Sequence, residues 1–136
     1  MNSKTPDATL AEVRSERAPK PVGPYSQGVR HGPWLFSSGQ IPIDPRSETI
    51  VNGEIEAQTE QVIANLAAVL EEGGSSLRRV VRTTVYLTDL SLFSRVNAVY
   101  GRYFDGDPAP ARSTVQVAAL PLGAAVEIDV IALIDS

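Results

Sequence analysis

Apolar and polar residues follow a helical rhythm between residues 54 and 72 of the chain. Apolar side chains at 62, 63, 66, 69 and 70 fall on one face, because an α-helix makes one turn in about 3.6 residues. Gly73 and Gly74 follow directly, and glycine tolerates the left-handed conformation that ends many helices. The pattern therefore predicts an amphipathic helix that buries this stripe.

Further elements are predicted on both sides of this helix. A second helix begins after a capping Asp89 or Ser91 and ends before the Gly-Asp-Pro run at 106–108. Its apolar face consists of Leu92, Phe93, Val96, Tyr100 and Tyr103. Strand-forming runs occupy residues 10–17, 25–30, 34–38, 80–88, 113–120 and 125–134. The proline-containing stretch 40–52 is interpreted as a loop.

The predicted order β-β-β-α-β-α-β-β favours an α+β fold in which two helices cover one face of a mixed sheet. We expect residues 1–9 to form a disordered tail and residues 10–136 to form a single domain. The last two strands carry apolar residues on both faces, which is typical of a sheet buried on both sides. A second copy of the chain is therefore predicted to cover the other face, in a homo-oligomer.

Composition narrows the possible chemistry. The chain has no cysteine and a single histidine, His31, which excludes disulfides, thiolate catalysis and multi-histidine metal cages. The net charge of −4 disfavours nucleic acid as a partner, and the basic cluster at 78–82 is interpreted as a solvated surface. Neither a membrane-length apolar run nor a secretory signal is present, so we expect a cytoplasmic protein.

Two charged positions are the main candidates for chemistry. Arg112 stands at the entry of a predicted strand, where it can clamp a planar carboxylate or phosphate, or form a surface ion pair. Glu127 shares one strand face with Asp129. A buried carboxylate at that position is suited to general acid–base catalysis, whereas a solvated one is not. His31 lies in a turn and is expected to be exposed.

Two loop motifs are candidates for substrate contacts. Tyr25 follows a Gly-Pro turn before a strand, and Ser38-Gly39 ends another strand, where glycine lets a ligand approach the backbone. Both motifs also fit ordinary strand ends. The residues alone therefore leave the two interpretations open.

Six motifs in a fixed order carry a family resemblance. They are GPYSQ at 23–27, SGQIP at 38–42, TTVYLTDL at 83–90, VNAVY at 96–100, PARS at 110–113 and VEI at 126–128. In this order and spacing they resemble the RidA/YjgF family of reactive-intermediate deaminases. The resemblance extends from about residue 10 to residue 134. The PARS motif, followed by a Leu-Pro turn and the VEI strand, is its most specific part.

The resemblance implies a fold, an assembly and a reaction. Family members have a chorismate-mutase-like α+β topology and form trimers whose sheets build an inner barrel. The active members hydrolyse 2-imino acids to 2-oxo acids and ammonia in clefts between subunits, without metal or cofactor. The implied partners are thus a small imino or oxo acid and two further copies of the chain.

The resemblance also implies roles for individual residues. It places Glu127 and Tyr25 among the catalytic residues, with Glu127 near the attacking water, and gives Arg112 the substrate carboxylate. The other substrate-binding positions are Ser38, Gly39, Asn97 and Thr114. Two positions depart from the family pattern: Thr114 replaces a common cysteine, and Ala109 replaces a common aromatic residue. These departures concern pocket polarity and substrate size more than the reaction.

Three other functions are compatible with parts of the sequence. A non-catalytic 2-oxo-acid-binding or chaperone-like module would need Arg112 but not Glu127. Nuclease or translation-inhibitor activity is disfavoured by the acidic net charge. A chorismate-mutase-type isomerase is disfavoured because one pocket arginine is few for a dicarboxylate.

Overall fold

The computed structural model describes residues 9–135 of the chain. Residues 1–8 of the expected tail, and Ser136, lie outside the described residues. Eight strands and two α-helices follow one another in the described part. They are β1 (Ala11–Val13), β2 (Gly28–His31), β3 (Trp34–Ser37), β4 (Ile43–Asp44), β5 (Thr49–Ile50), α1 (Ile55–Glu72), β6 (Val80–Leu87), α2 (Phe93–Tyr103), β7 (Ala111–Gln116) and β8 (Val126–Leu133).

Helix α1 confirms the prediction from hydrophobic spacing. Its apolar stripe is buried, and Leu66 and Leu70 are completely inaccessible to solvent. The N–H of Gly73 bonds to carbonyls of the last turn, and Gly74 has a φ of +85°. Gly74 is therefore the residue whose left-handed backbone lets the chain leave the helix and turn toward β6.

Six strands form the larger sheet, in the order β1-β2-β3-β8-β6-β7. Strands β6 and β7 are parallel and connected through α2, whereas the other neighbours in this sheet are antiparallel. Helix α1 packs on β3 and β8 and contacts α2 on the same side. The predicted α+β arrangement, with two helices on one face of a mixed sheet, is confirmed.

The side chains of strand β8 alternate between the two faces of this sheet. Val126, Ile128, Val130 and Ala132 point to the helices and are buried, while the alternate residues are partly exposed. We call the side away from the helices the outer face. Its large apolar side chains are the exposed Trp34, Phe36 and Val115 and the partly buried Ile131 and Leu133, beside the polar Arg82, Thr84, Tyr86, Ser113, Glu127 and Asp129. The outer face is therefore mixed in polarity, and its cover by another copy stays a prediction.

The stretch 40–52, predicted as a loop, contains a two-stranded sheet of β4 and β5. Each strand has two residues, too few to produce a recognisable alternation. The connecting turn is fixed by a hydrogen bond from the Glu48 N–H to the carbonyl of Asp44. From α1, the buried amide of Asn65 donates hydrogen bonds to the carbonyls of Ile41 and Ile43, which attaches this segment to the helix.

The apolar face predicted for the second helix is partly wrong. Helix α2 begins at Phe93, after a short 3-10 turn that Asp89 caps, and buries Val96, Val99 and Tyr100. Tyr103 is instead exposed, and its hydroxyl donates a hydrogen bond to Glu60 on α1. The side chain lies at the edge of the stripe, where a polar partner is within reach.

The predicted strand at 10–17 is shorter than expected because a buried side chain replaces the strand pairing. Beyond Val13, the amide of Gln27 accepts a hydrogen bond from the Ser15 N–H and donates to the carbonyls of Ser15 and Pro19. This amide organises the segment that leads to the Gly-Pro-Tyr turn. In the described residues, no helix has the length and apolar character needed to cross a membrane.

Candidate functional site

Arg112 lies on the helix side of the sheet, against α2. Its Nη1 donates a 2.8 Å hydrogen bond to Oδ1 of Asn97. Its Cζ lies 4.7 Å from the ring centre of Tyr100 and 5.4 Å from that of Phe93, both within cation–π range. Within residues 9–135, no carboxylate forms an ion pair with Arg112. Its positive charge is therefore available to an external anion.

Thr114 lies two residues further along β7, on the same side of the sheet. Leu90, Phe93, Arg112 and Thr114 line an open cavity of about 520 Å³. The Oγ1 atom of Thr114 is buried and has no hydrogen-bond partner in the described structure. A buried hydroxyl without a partner is destabilising, so a polar ligand atom would complete this environment. We call Asn97, Arg112 and Thr114 the arginine cluster.

Glu127 lies on the outer face, next to the backbone of Gly39. Burial of its carboxyl group and the nearby Asp129 raise the pKa of Glu127 above its ordinary value of 4.5. Asp129 itself accepts a 3.0 Å hydrogen bond from the hydroxyl of Tyr86. A carboxylate with a raised pKa is suited to take and return a proton near neutral pH.

Tyr25, Ser38 and Gly39 lie with Glu127 around a cavity of about 290 Å³. We call these four residues the glutamate cluster. The Tyr25 hydroxyl accepts a 3.1 Å hydrogen bond from the Val22 N–H, and Tyr25 as a whole is exposed. Ser38 donates its hydroxyl proton to the carbonyl of Ser26, which ties the Tyr25 loop to β3. Ser38 therefore has a structural hydrogen bond and retains only acceptor capacity toward a ligand.

Within one protomer the two clusters lie on opposite faces of the sheet. Arg112 pairs in register with Thr83, which is buried against α2, so both point to the helices. Glu127 pairs with Tyr86, on the outer face. Because side chains alternate between faces along a strand, Arg112 and Glu127 cannot contact the same small molecule in a single chain.

The remaining candidates from the sequence lie elsewhere. His31 is the last residue of β2, at the hairpin turn, and its Nδ1 lies 3.4 Å from the carbonyl oxygen of Thr9. Strand β3, which follows this turn, pairs with the end of β8 that is distant from Glu127. Arg78 and Arg79 form exposed ion pairs with Asp105 and Asp135. The exposed ion pairs match the solvated surface predicted for these arginines, whereas His31 is partly buried and not exposed as expected, because it ends a strand of the sheet.

The aromatic rings around Arg112 are not predicted by the sequence pattern. The helical spacing places Phe93 and Tyr100 on the apolar face of the second helix and gives no indication of a contact with a cation. A signal was available: Asn97 lies between them at helical spacing, and a polar residue on an apolar face suggests a specific partner. The sequence likewise indicates only a strand position for Tyr86, whose hydroxyl donates a hydrogen bond to Asp129.

The contact between Gly39 and Glu127 leads to a testable prediction. A Cβ atom on Gly39 would collide with the Glu127 carboxylate and lie 2.7 Å from its carboxyl carbon. We expect Gly39→Ala to displace this flexible carboxylate and to slow about 10²-fold or more any reaction in which Glu127 is the general base. Thermal unfolding should change little, because the side chain can move toward solvent.

Gly101→Ala is the matched control, since a Cβ there meets nothing within 4 Å. This variant should retain the wild-type rate, and its melting temperature should equal or exceed that of wild type, because alanine is favoured over glycine inside helix α2. A Gly39→Ala protein with the wild-type rate would show that the position of the Glu127 carboxylate is unimportant for activity.

These features define a small α+β protein with an uncompensated arginine on one sheet face and a half-buried carboxylate on the other. The sequence profile of the family described as endoribonuclease L-PSP matches residues 15–134. The chain belongs to this family, which includes the RidA, YjgF and RutC proteins. The resemblance seen in the sequence motifs is thereby confirmed.

Three relatives illustrate the similarity. DfrA of Myxococcus xanthus is 55% identical over 123 residues, which are 89% of this chain and 93% of that protein. The chloroplastic Reactive Intermediate Deaminase A of Arabidopsis thaliana is 45% identical over 120 residues, 88% of this chain and 64% of that protein. The crystal structure of E. coli TdcF with bound serine has a TM-score of 0.86 and 38% identity, covering 92% of this chain and 99% of that chain.

Proposed function

We propose that this protein hydrolyses 2-imino acids to 2-oxo acids and ammonia. One observation carries the proposal: Arg112 is a cation held by neutral groups only, among the described residues. A guanidinium fork matches a carboxylate through two parallel hydrogen bonds, and a 2-imino acid carries a carboxylate beside its reactive carbon. Family membership supports the same choice, because the family includes a reactive intermediate deaminase.

The residues of the two clusters suit each step of this reaction. Arg112 holds the carboxylate, and the free hydroxyl of Thr114 donates to the same ligand. A water molecule forms a bond to C2 of the imine while Glu127 accepts its proton. Glu127 then returns this proton to the nitrogen. Glu127 next takes the proton of the new hydroxyl and delivers it to the amino nitrogen, so that the C–N bond breaks, the C=O bond forms and ammonia leaves.

The reaction requires no strong nucleophile. An imine conjugated to a carboxylate is already electrophilic, so correct placement of substrate and water is the main requirement. Orientation can contribute about 7–11 kcal/mol in favourable cases, and a general base contributes about 10²- to 10⁴-fold in rate. A chain with no cysteine and one histidine can supply both contributions.

We infer that the working unit is a homotrimer with its sheets around an inner barrel and its sites between subunits. Arg112 and Glu127 lie on opposite faces of one protomer, so a shared substrate needs one group from each of two copies. The exposed Trp34, Phe36 and Val115 on the outer face also favour cover by another copy. The choice of three copies rests on the family resemblance.

This inference predicts a particle of three times the 14.5 kDa chain mass in size-exclusion chromatography with light scattering. Phe36→Glu places a charge on the outer face and should dissociate the assembly, because burying an unpaired charge is costly. The dissociated chain should keep its circular dichroism but hydrolyse imines no faster than buffer does. Leu10→Glu, a similar change at an exposed residue of the chain start, should leave mass and rate unaltered. A fully active 14.5 kDa monomer would contradict the inference.

The proposed activity can be tested with an imine made in situ. An amino-acid oxidase generates the 2-imino acid, and semicarbazide traps it as a semicarbazone with measurable absorbance. Added protein should slow the formation of semicarbazone, because hydrolysis removes the imine first. Unchanged trapping across small aliphatic, branched and aromatic amino acids would overturn the proposal.

Other functions receive less support. A binding module without turnover needs only the arginine cluster and gives no reason for a half-buried Glu127 next to Gly39. RNA cleavage, suggested by the family's description, is disfavoured by the net charge of −4. A cytoplasmic location and the absence of a cofactor stay predictions.

A further inference from the structure

The rings of Tyr100 and Phe93, together with the Asn97 amide, surround the guanidinium of Arg112. All three residues come from α2, at positions i, i+4 and i+7, and therefore share one face of the helix. The rings offer their faces at 4.7 Å and 5.4 Å from Cζ, and the amide oxygen accepts from Nη1. We call this arrangement the aromatic cradle.

Two further contacts restrain the side chain of Tyr100. Its hydroxyl forms a 2.8 Å hydrogen bond with Oγ1 of Thr83, and this pair is buried. Its ring stacks on Phe104, with ring centres 4.4 Å apart. Thr83 is the register partner of Arg112 in the sheet, so the hydrogen bond ties the ring to the strand next to the arginine. The ring face under the guanidinium consequently has little freedom.

The cradle is electrically neutral. An aspartate or glutamate would hold the arginine more strongly, but it would also neutralise the charge and compete with an incoming anion. Ring faces attract a cation through their quadrupole and leave its N–H groups free to donate. The cradle thus restrains the guanidinium while preserving both its charge and its hydrogen-bonding edge.

We propose that Tyr100, anchored by Thr83, is a positioning residue that holds Arg112 as an uncompensated cation for the substrate carboxylate. Phe93 completes the cradle at its solvent-exposed side. The nature of the anion rests on the proposed function, whereas the contact between ring and guanidinium does not. Tyr100 itself is buried and does not line the cavity formed by Leu90, Phe93, Arg112 and Thr114.

The proposal distinguishes the ring of Tyr100 from its hydroxyl. Tyr100→Leu removes the ring face, so KM and the dissociation constant of the probe 2-oxobutanoate should rise about 3- to 30-fold, with kcat changed much less. Tyr100→Phe keeps the ring, so it should lower the melting temperature by leaving the Thr83 hydroxyl unpaired, with KM changed by less than about 2-fold. Tyr103→Leu, on the side of α2 facing Glu60, is the matched control and should match wild type.

A nuclear magnetic resonance measurement tests the contact without any activity. The Nε–H proton of Arg112 should show a ring-current shift in wild type and Tyr100→Phe, and lose most of it in Tyr100→Leu. Phe93→Leu changes a partly exposed ring and serves as a second variant if Tyr100→Leu does not fold. It should raise KM by a smaller factor and reduce the shift in part.

The outcomes separate the two proposals. Unchanged KM, dissociation constant and Arg112 resonance in Tyr100→Leu or Phe93→Leu would overturn the cradle, even if these variants are less stable. A wild-type protein that neither hydrolyses imines nor binds 2-oxobutanoate would overturn the proposed function. In that case the Arg112 resonance still decides whether the ring positions the guanidinium.

Discussion

Replacement of Arg112 by alanine should reduce kcat/KM for 2-imino acids by about 10²- to 10⁴-fold. The estimate follows from losing two hydrogen bonds to a charged group, each worth about 1.5–3 kcal/mol. Most of the loss should appear as a higher KM together with a lower kcat, because the carboxylate also orients the C=N carbon toward the water. Steady-state kinetics by semicarbazide competition measures both parameters.

Two further variants test whether the loss of activity is specific to the guanidinium of Arg112. Arg112→Lys keeps the positive charge but cannot form a planar fork or stack fully in the aromatic cradle, so it should recover only a minor part of the activity. Arg78→Ala removes a surface arginine whose ion pair with Asp105 is exposed, and it should behave as wild type. The mass of the assembly should be the same in all variants. Wild-type kinetics in Arg112→Ala would rule out the assignment of the carboxylate to this residue.

The elements with long and regular patterns were predictable from the sequence. The start of α1 lies within one residue of its predicted position, and β6 and β8 also agree closely with their predicted ranges. The strands β4 and β5 were missed because two residues carry no periodic signal and their pairing depends on a turn at Glu48. Strand β1 was overextended because the side chain of Gln27, a distant residue, takes the place of strand pairing.

The geometry of the site was only partly predictable. The residues of both clusters lie in the sequence motifs, and the hydrogen bond from Arg112 to Asn97 shows that two of the predicted positions are in contact. The sequence could not show that Arg112 and Glu127 lie on opposite faces, because this depends on the registers of β7 and β8 with β6. The aromatic cradle could not be predicted for a related reason. An apolar stripe on a helix does not show whether its aromatic rings contact other apolar groups or a cation.

The position of the Glu127 carboxyl group carries a cost in stability at neutral pH. Its carboxylate is desolvated and lies near Asp129, and both effects disfavour the charged form in the folded state. Gly39 contributes by leaving room for the carboxylate where any larger residue would displace it. Sites with such unfavourable electrostatics are frequently functional. We therefore expect substitution of Glu127 to change activity and stability in opposite directions.

Glu127→Gln should lower kcat by about 10²- to 10⁴-fold with little change in KM, since the amide cannot accept the proton of water but retains its shape. It should also remove the acidic limb of the pH–rate profile. In wild type this limb reflects protonation of Glu127 and should lie above pH 4.5, because the folded-state pKa is raised. The uncatalysed hydrolysis rate must be subtracted at every pH. An unchanged limb in the variant would exclude Glu127 as the titrating base.

The same substitution should increase stability at neutral pH. A carboxyl group with a raised pKa binds its proton more tightly in the folded state, so its ionisation destabilises the fold as pH rises from 4.5 through the folded-state pKa. Below pH 4.5 the group is protonated in both states, and the melting temperatures of wild type and Glu127→Gln should converge. Asp129→Asn should shift the acidic limb to lower pH, since it removes a charge that raises the pKa of Glu127. Glu72→Gln, at the exposed end of α1, should alter neither the limb nor the rate. If Glu127→Gln were instead less stable at neutral pH and equally active, the carboxylate would serve the fold and not the reaction.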